Sequence, residues 1–424
     1  MDHFAYRDGR LFCEDVDAES IAVEVGTPAY VYSAVTLRDH YRRLAEAFAE
    51  LDPLICFSVK SLANVHVLRL LAEAGSGFDV VSGGELHRVR RAAGDMAKVV
   101  YAGVGKTDAE IAAALAAGIA CFNVESEEEF ANLSRLSAAA DVRPRAALRV
   151  NPDVDPRTHR HTSTGKKETK FGVDLERAER FFRDCGGDPH VALDAIHLHI
   201  GSPVYSAGPY VEAIGKTLAL IDRLARTGRE VRCLDIGGGF GADYEAGQSP
   251  LAAEYAAEIV PLLRGRGLRV ILEPGRQIAG NAGVLLTRVL YVKEGGDRTF
   301  AIVDAAMTDL IRPALYEAFH FIWPARWERE PERTAAYAPP GCLRMDVVGG
   351  VCESADFLAR DRMLPPLSRG DLLSVFSAGA YAFVMASQYN ARPRGPEVLV
   401  EGDRWRIIRR RETYEDLTAP EEGL

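Results

Sequence analysis

Between Leu54 and Glu273 the chain repeats one pattern: a short apolar run, then an amphipathic stretch with helical spacing. The runs fall at Leu54–Val59, Phe78–Ser82, Val99–Ala102, Ile119–Val124, Ala146–Val150, Ala195–Ile200, Val231–Ile236 and Arg269–Glu273. Short apolar runs alternating with helices read as buried parallel strands. Eight such units over roughly 220 residues fit an α/β fold, a (β/α)8 TIM-like barrel. The alternative is a doubly wound open sheet. It usually has fewer strands and a Gly-rich GxGxxG fingerprint after the first one, which this chain lacks.

Local signals punctuate the repeat. Thr107 with Glu110, and Ser126 with Glu129, have capping-box spacing. Gly75, Gly94 and Gly118 stand where helices should stop. Residues 35–280 are therefore assigned to the barrel. A chain of 424 residues has room for a second domain. After about residue 280 the rhythm changes to strand-like runs punctuated by Pro and Gly: Val284–Val292, Thr299–Asp304, Met345–Val348, Leu372–Phe376 and Val398–Val400. This predicts a mostly β-strand domain from residues 281–424 together with 1–34. The N-terminal part offers a hairpin, Phe4–Cys13, turning at Asp8-Gly9, and a short strand, Ala29–Tyr32. Trp323–Pro340 (WPARWEREPERTAAYAPP), dense in charge and Pro, is expected to be an exposed excursion.

Composition excludes some partners. A net charge of -10 argues against nucleic acid or an anionic membrane as the main partner. No apolar run approaches spanning length. The first residues, MDHFAYRDGRLF, lack a secretory signal pattern. The seven cysteines are scattered and form no CxxC, which suits reduced, mostly buried thiols and a cytoplasmic location.

Active sites of barrel enzymes lie at the C-terminal ends of the strands. That rule selects Lys60, Asp79 and Ser82, Arg149, His197 and His199, Gly201 and Ser202, Gly237, Gly238 and Gly239, and Glu273 with Arg276. A partly desolvated Lys60 could react with a carbonyl; equally, it could cap a strand. The run LDIGGGFG could bring backbone N–H groups close to a phosphate, or simply make a tight turn. His199 could cover a flat ring, or be structural. Glu273 could face a protonated ring nitrogen, or pair with Arg276. Together they match what pyridoxal 5'-phosphate (PLP) needs: a lysine for the aldehyde, amides for the phosphate and an acid for the pyridinium. A metal site fits less well, and no GxSxG marks a serine hydrolase.

Ordered motifs extend this reading. They are FSVKS (57–61), GFDVVSGGEL (77–86), RVNPDVDP (149–156), STGKKETKFGV (163–173), HLHIGS (197–202), DIGGGFG (235–241), EPGR (273–276), DLIRPALY (309–316), CESADFLARDR (352–362) and GAYAFVMASQYNARPR (379–394). From about Thr27 to Tyr414 the chain resembles the alanine-racemase-like, fold type III PLP enzymes, and within them the diaminopimelate decarboxylases. The resemblance implies decarboxylation of meso-diaminopimelate at its D-centre, giving L-lysine. Lys60 would carry PLP and His199 would stack on its ring. Ser202, Gly238, Gly239, the Glu273–Arg276 backbone with Gly275, and Tyr381 would hold the phosphate. Glu273 would keep the pyridine nitrogen protonated. Arg276, Arg312 and Tyr316, with Tyr381, would bind the substrate's distal carboxylate end, and Glu353 its distal amine. Cys352 would be the acid near the reacting carbon. The family shares CESADFLA between subunits, which implies a homodimer with two shared sites. Pro203 replaces a common Gln, and Ala355 and Ala382 replace usual glycines. These departures keep a related diamino acid or carrier-linked amino acid open as substrate. An amino-acid racemase and a non-catalytic PLP-binding homologue are the remaining alternatives.

Overall fold

The computed structural model describes residues 3–155 and 170–423. They divide into two compact units. One comprises Asp39–Gly241 and Ser249–Gln277; the other comprises Met1–Arg38, Ala242–Gln248 and Ile278–Leu424.

The first unit is the closed barrel that the repeat predicts. Its strands are Leu54–Ser58, Gly77–Val80, Val99–Tyr101, Cys121–Val124, Arg145–Asn151, Ala192–Leu198, Cys233–Asp235 and Arg269–Leu272. Each pairs in parallel with the next, and the ring closes where Ile271 and Leu272 pair with Leu54 and Ile55. Five of the intervening helices begin where a short polar side chain takes an orphan N–H. Asn64, Ser82, Thr107, Ser126 and Asp174 all cap helices this way. Thr107 and Glu110 form the full reciprocal box. At Ser126 only half of the expected box forms. Glu129 is drawn away from the cap, accepting from the Glu125 N–H at 2.9 Å and from the Lys106 ammonium at 2.6 Å.

The second unit is built on strands. One sheet runs in the order Phe357–Leu364, Leu343–Val348, Arg298–Val303, Gly283–Gly295, Ala29–Ser33, Glu397–Glu401, Arg404–Arg409. Leu372–Val375 also pairs with Gly283–Gly295, and Ile322–Pro324 with Leu372–Val375. The early hairpin forms as predicted, Phe4–Arg7 against Arg10–Cys13. Its turn residues Asp8 and Gly9 both take positive φ, 48° and 76°, the geometry that matches strand twist in a two-residue turn.

The stretch 323–340 is an exposed excursion only in part: Trp323, Pro324 and Ala325 are buried, while nine of the residues from Arg326 to Pro340 are exposed. Trp323 is 1% exposed, sits in the Ile322–Pro324 strand and meets Trp327 edge-on at 5.2 Å and Tyr337 at 5.0 Å. Its aromatic residues outweigh the charges beside them: the rings bury apolar area while Arg326 and Glu330 stay at the surface. No helix among the described residues is long and apolar enough to cross a membrane.

Candidate active site

Strand periodicity places the site. Residues two apart on a strand point the same way, so an inward residue low in the barrel fixes the inward residue above it. The floor is apolar and small: Cys56, Val100, Cys121, Ala147, Ala195, Cys233 and Ile271. Burial pushes the Cys56 and Cys121 thiols well up and that of Cys233 to about 12, so these cysteines act as small hydrophobes. Two residues further along the same strands stand Ser58, Asn123, Arg149, His197, Asp235 and Glu273, with Asp79 two beyond Gly77. All seven are buried. A polar ring thus lies on the floor at the C-terminal ends of the strands.

Lys60 sits in the single turn Val59–Ser61 that follows the first strand. Its ammonium donates to Asp79 Oδ2 at 2.7 Å, and the Ser58 hydroxyl donates to the same oxygen at 2.7 Å. Burial, then the charge of Glu273, push the Asp79 carboxyl up, while Lys60 and Ser58 pull it back. Asp79 is therefore both the counter-ion of Lys60 and a base able to keep the proton that Lys60 must lose before its nitrogen can act as a nucleophile.

At the centre of the ring, Glu273 accepts from Asn123 Nδ2 at 3.0 Å and lies 3.3 Å from His197 Nε2. Burial alone would push its carboxyl up. The charge and hydrogen bond of His197, with Lys60, outweigh burial and hold it below the ordinary carboxylate range. Asp235 goes the other way. Burial, then the neighbouring Glu273, push it well up, while the Gly237 N–H donates to its Oδ1 at 2.8 Å. The proton of this acid pair accordingly sits on Asp235 and the charge on Glu273. One donor atom each from His197, Asp235 and Glu273 lie within 4.8 Å of one another, a spacing open to a metal ion as well as to proton sharing. Burial, with Arg149 and Lys60 nearby, holds His199 well below its ordinary value. Its imidazole is neutral and presents a flat, uncharged face.

The glycine run is needed by the protein itself. A Cβ on Gly237 would lie 2.1 Å from the Leu198 carbonyl oxygen, on Gly238 2.2 Å from that of Glu273, and on Gly239 2.2 Å from that of Gly201. Strand ends can converge this closely only without side chains. Gly275 is similarly confined, 2.9 Å from Ser58 Cβ. Ser202 Oγ accepts from Arg276 Nε at 3.1 Å. The charge of Glu273 is met by Asn123 and His197, and Arg276 engages Ser202.

This donor set suits PLP. The barrel offers an amine, an ionised carboxylate, a neutral imidazole, and a serine hydroxyl with a guanidinium beside the glycine turn. Asp79 Oδ1 and Asn123 Oδ1 remain buried without partners, so the ring has polar capacity to spare. Lys60, His199, Ser202, Gly238, Gly239, Glu273, Gly275 and Arg276 all belong to the barrel unit. Arg312, Tyr316, Cys352, Glu353 and Tyr381 belong to the strand unit. Arg312 opens the short helix Arg312–Tyr316 and is buried; Tyr316 is one turn on, half-buried. Cys352 and Glu353 are exposed in a turn that Asp356 ties down, accepting from the Met307 and Val351 N–H groups at 2.7 Å each. Tyr381 takes a positive φ of 56°. Pro156 and residues 163–169 of the quoted motifs lie outside the described residues.

Residue-type reasoning missed Ser58, Asn123 and Asp235, and gave no role to Asp79 or His197. The signal that finds them is parity: each is two residues beyond an inward small residue.

Comparison with known proteins agrees with this chemistry. The family "Pyridoxal-dependent decarboxylase, pyridoxal binding domain" matches residues 35–280. A diaminopimelate decarboxylase of Pseudomonas aeruginosa is 49% identical over 424 residues, covering 100% of both chains. The crystal structure of diaminopimelate decarboxylase from M. jannaschii in co-complex with L-lysine superposes with TM-score 0.92 at 34% identity, covering 100% of this chain and 98% of that one. The Helicobacter pylori diaminopimelate decarboxylase complexed with L-lysine gives TM-score 0.89 at 38% identity, covering 96% and 100%.

Proposed function

Because the chain belongs to the diaminopimelate decarboxylases, a family of pyridoxal-dependent carboxy-lyases, we propose that it removes CO2 from the D-configured centre of meso-diaminopimelate and leaves L-lysine. The observation that carries this reading is the barrel interior: Lys60 on Asp79 at 2.7 Å, in the same ring as an ionised Glu273. PLP, when bound, accepts the electron pair that departing CO2 leaves behind.

The residues divide the work. Lys60 would hold the cofactor's aldehyde carbon, and Asp79 would take up the proton that the Lys60 ammonium loses. Glu273 would keep the ring nitrogen protonated, and Asp235 keeps Glu273 the charged member of the pair. His199 would cover the ring face. Ser202, Gly238, Gly239, Gly275, Arg276 and Tyr381 would hold the phosphate. Arg276, Arg312, Tyr316 and Tyr381 bind the distal carboxylate end, and Glu353 the distal amine. Cys352 returns a proton to the reacting carbon. The exposure of Cys352 and Glu353 in a turn pinned by Asp356 supports a homodimer in which this turn serves the partner's site. A cytoplasmic enzyme closing lysine biosynthesis fits these roles.

The test is CO2 release by purified protein supplied with PLP, across meso-diaminopimelate, ornithine, arginine and lysine, with chiral analysis of unreacted substrate. Release from meso-diaminopimelate with L-lysine as product is expected. Release only from ornithine or arginine, or inversion without CO2, overturns the reading.

A further inference from the structure

Arg312 is a buried cation that rests on an imidazole. It is 6% exposed, and its Nη1 donates to the imidazole Nε2 of His320 at 3.0 Å. His320 is fully buried, and its Nδ1 lies 2.9 Å from the Phe376 carbonyl oxygen. A guanidinium can only donate and a carbonyl can only accept. The imidazole between them must therefore carry its hydrogen on Nδ1 and a lone pair on Nε2. His320 is neutral and confined to one tautomer. Protonation would set an N–H against an N–H between two cations in a dry interior.

Tyr244 completes the clamp. Its ring lies under the Arg312 guanidinium, 4.4 Å from centroid to Cζ, and meets His320 edge-on at 5.3 Å. The turn carrying Tyr244 is tied down nearby. Asn281 Oδ1 accepts from the Asp243 N–H at 2.9 Å, and the hydroxyl of Ser377, next to Phe376, donates to the Asp243 carbonyl at 2.8 Å. Tyr244 thus sets the plane of the guanidinium and His320 sets its direction. Neither contributes a negative charge. An aspartate or glutamate at position 320 would orient Arg312 equally well but would cancel the charge that an incoming carboxylate needs.

We propose that His320 is a positioning and specificity-determining residue: as the neutral Nδ1–H tautomer it aims Arg312 without neutralising it, so that Arg312 selects a substrate with a distal carboxylate. This rests on the reading above that Arg312 binds that carboxylate.

Two amide variants separate the parts of the role. His320→Gln places an acceptor near the Nε2 position and can still receive Arg312. His320→Asn reaches only the Nδ1 position, where it can serve Phe376 but not Arg312. The full enzyme with PLP is assayed on meso-diaminopimelate and on D-lysine, which lacks the distal carboxylate, with thermal melting measured in parallel. His320→Asn should raise KM for meso-diaminopimelate on the order of 10-fold or more, and so erode its preference over D-lysine, with kcat changing less. His320→Gln should recover most of that preference at a similar melting temperature. Equal losses in both variants, or equal losses on both substrates, overturn the proposal. Arg312→Ala separates the two claims. If it leaves the preference intact, the Arg312 reading fails and takes this proposal with it. If it abolishes the preference while His320→Asn does not, only the His320 proposal fails.

Discussion

The barrel interior and the clamp around Arg312 bury charge by opposite means. In the barrel, three carboxyl groups, Asp79, Asp235 and Glu273, crowd one ring. They are tolerated because protons and hydrogen bonds are shared unevenly: Asp235 is driven up, Glu273 is held down, and Asp79 is met by Lys60. In the strand unit the Arg312 guanidinium lies against two rings, Tyr244 and His320, that add no negative charge. The first arrangement is suited to moving protons, because its members differ in their hold on one. The second is suited to aiming a charge, because its two rings orient Arg312 without opposing it. Chemistry and recognition thus ask for different electrostatics.

The barrel half of this contrast breaks most sharply at Lys60. Lys60→Ala should reduce kcat by at least about 100-fold and release PLP readily on gel filtration. Retained turnover would remove Lys60 from the reaction. Glu273→Gln keeps the shape but not the charge. It should lower kcat by roughly 10²–10³-fold on every accepted substrate, with little change in KM. A loss confined to KM would mean that Glu273 serves binding. Cys352→Ala should spare PLP binding and slow turnover by roughly 100-fold, measured in single-turnover experiments. An unchanged kcat would remove Cys352 from the mechanism.

Two acids outside these clusters sharpen the contrast through pH. In the barrel unit, Glu85 accepts from the Val81 N–H at 2.8 Å, and burial pushes its carboxyl up to about 7. Its folded value lies above its unfolded one. Folding therefore loses stability as pH rises from about 4.3 toward 7, and the loss is complete above that. Glu85→Gln should flatten this window, the variant gaining on the parent by on the order of 2 kcal/mol at pH 8 relative to pH 5 in urea melts. In the strand unit, Glu412 accepts from Arg394 Nε at 2.8 Å and from Gln388 Nε2 at 3.0 Å. Burial would raise it, but these bonds outweigh burial and bring it down to about 2. Its contribution is present above the unfolded value and is lost as pH falls through about 2. Glu412→Gln should therefore cost stability at neutral pH and not gain it. Shifts of the same sign in both variants would remove the contrast.

Much of this was legible in the chain itself. The barrel strands were readable because they are buried on both faces and mostly apolar, broken only near their C-terminal ends by the polar ring. Phe357–Leu364 (FLARDRML) and Arg404–Arg409 (RWRIIR) were not, because they are charged strands with one open side. Trp323–Pro340 was legible only in part: its exposed charges are visible in sequence, whereas the packing of Trp323, Trp327 and Tyr337 is not. Within the site, Lys60, His199 and Glu273 stood out as reactive types at strand ends. Asn123 and Asp235 did not, since their importance lies in touching Glu273 or sharing its proton, and that follows only once the inward face of each strand is known. The clamp on Arg312 was hidden further still. It joins Tyr244, Arg312, His320 and Phe376 from separate segments, and the single tautomer of His320 is decided by a backbone carbonyl.

We propose that the polar ring above the barrel floor is a cofactor site operated through Lys60. Borohydride reduction of the PLP-loaded protein, followed by peptide mapping, tests it directly. A reduced pyridoxyl group on Lys60, absent in Lys60→Ala, is expected. Modification of a different lysine, or no modification of a fully loaded protein, would contradict it.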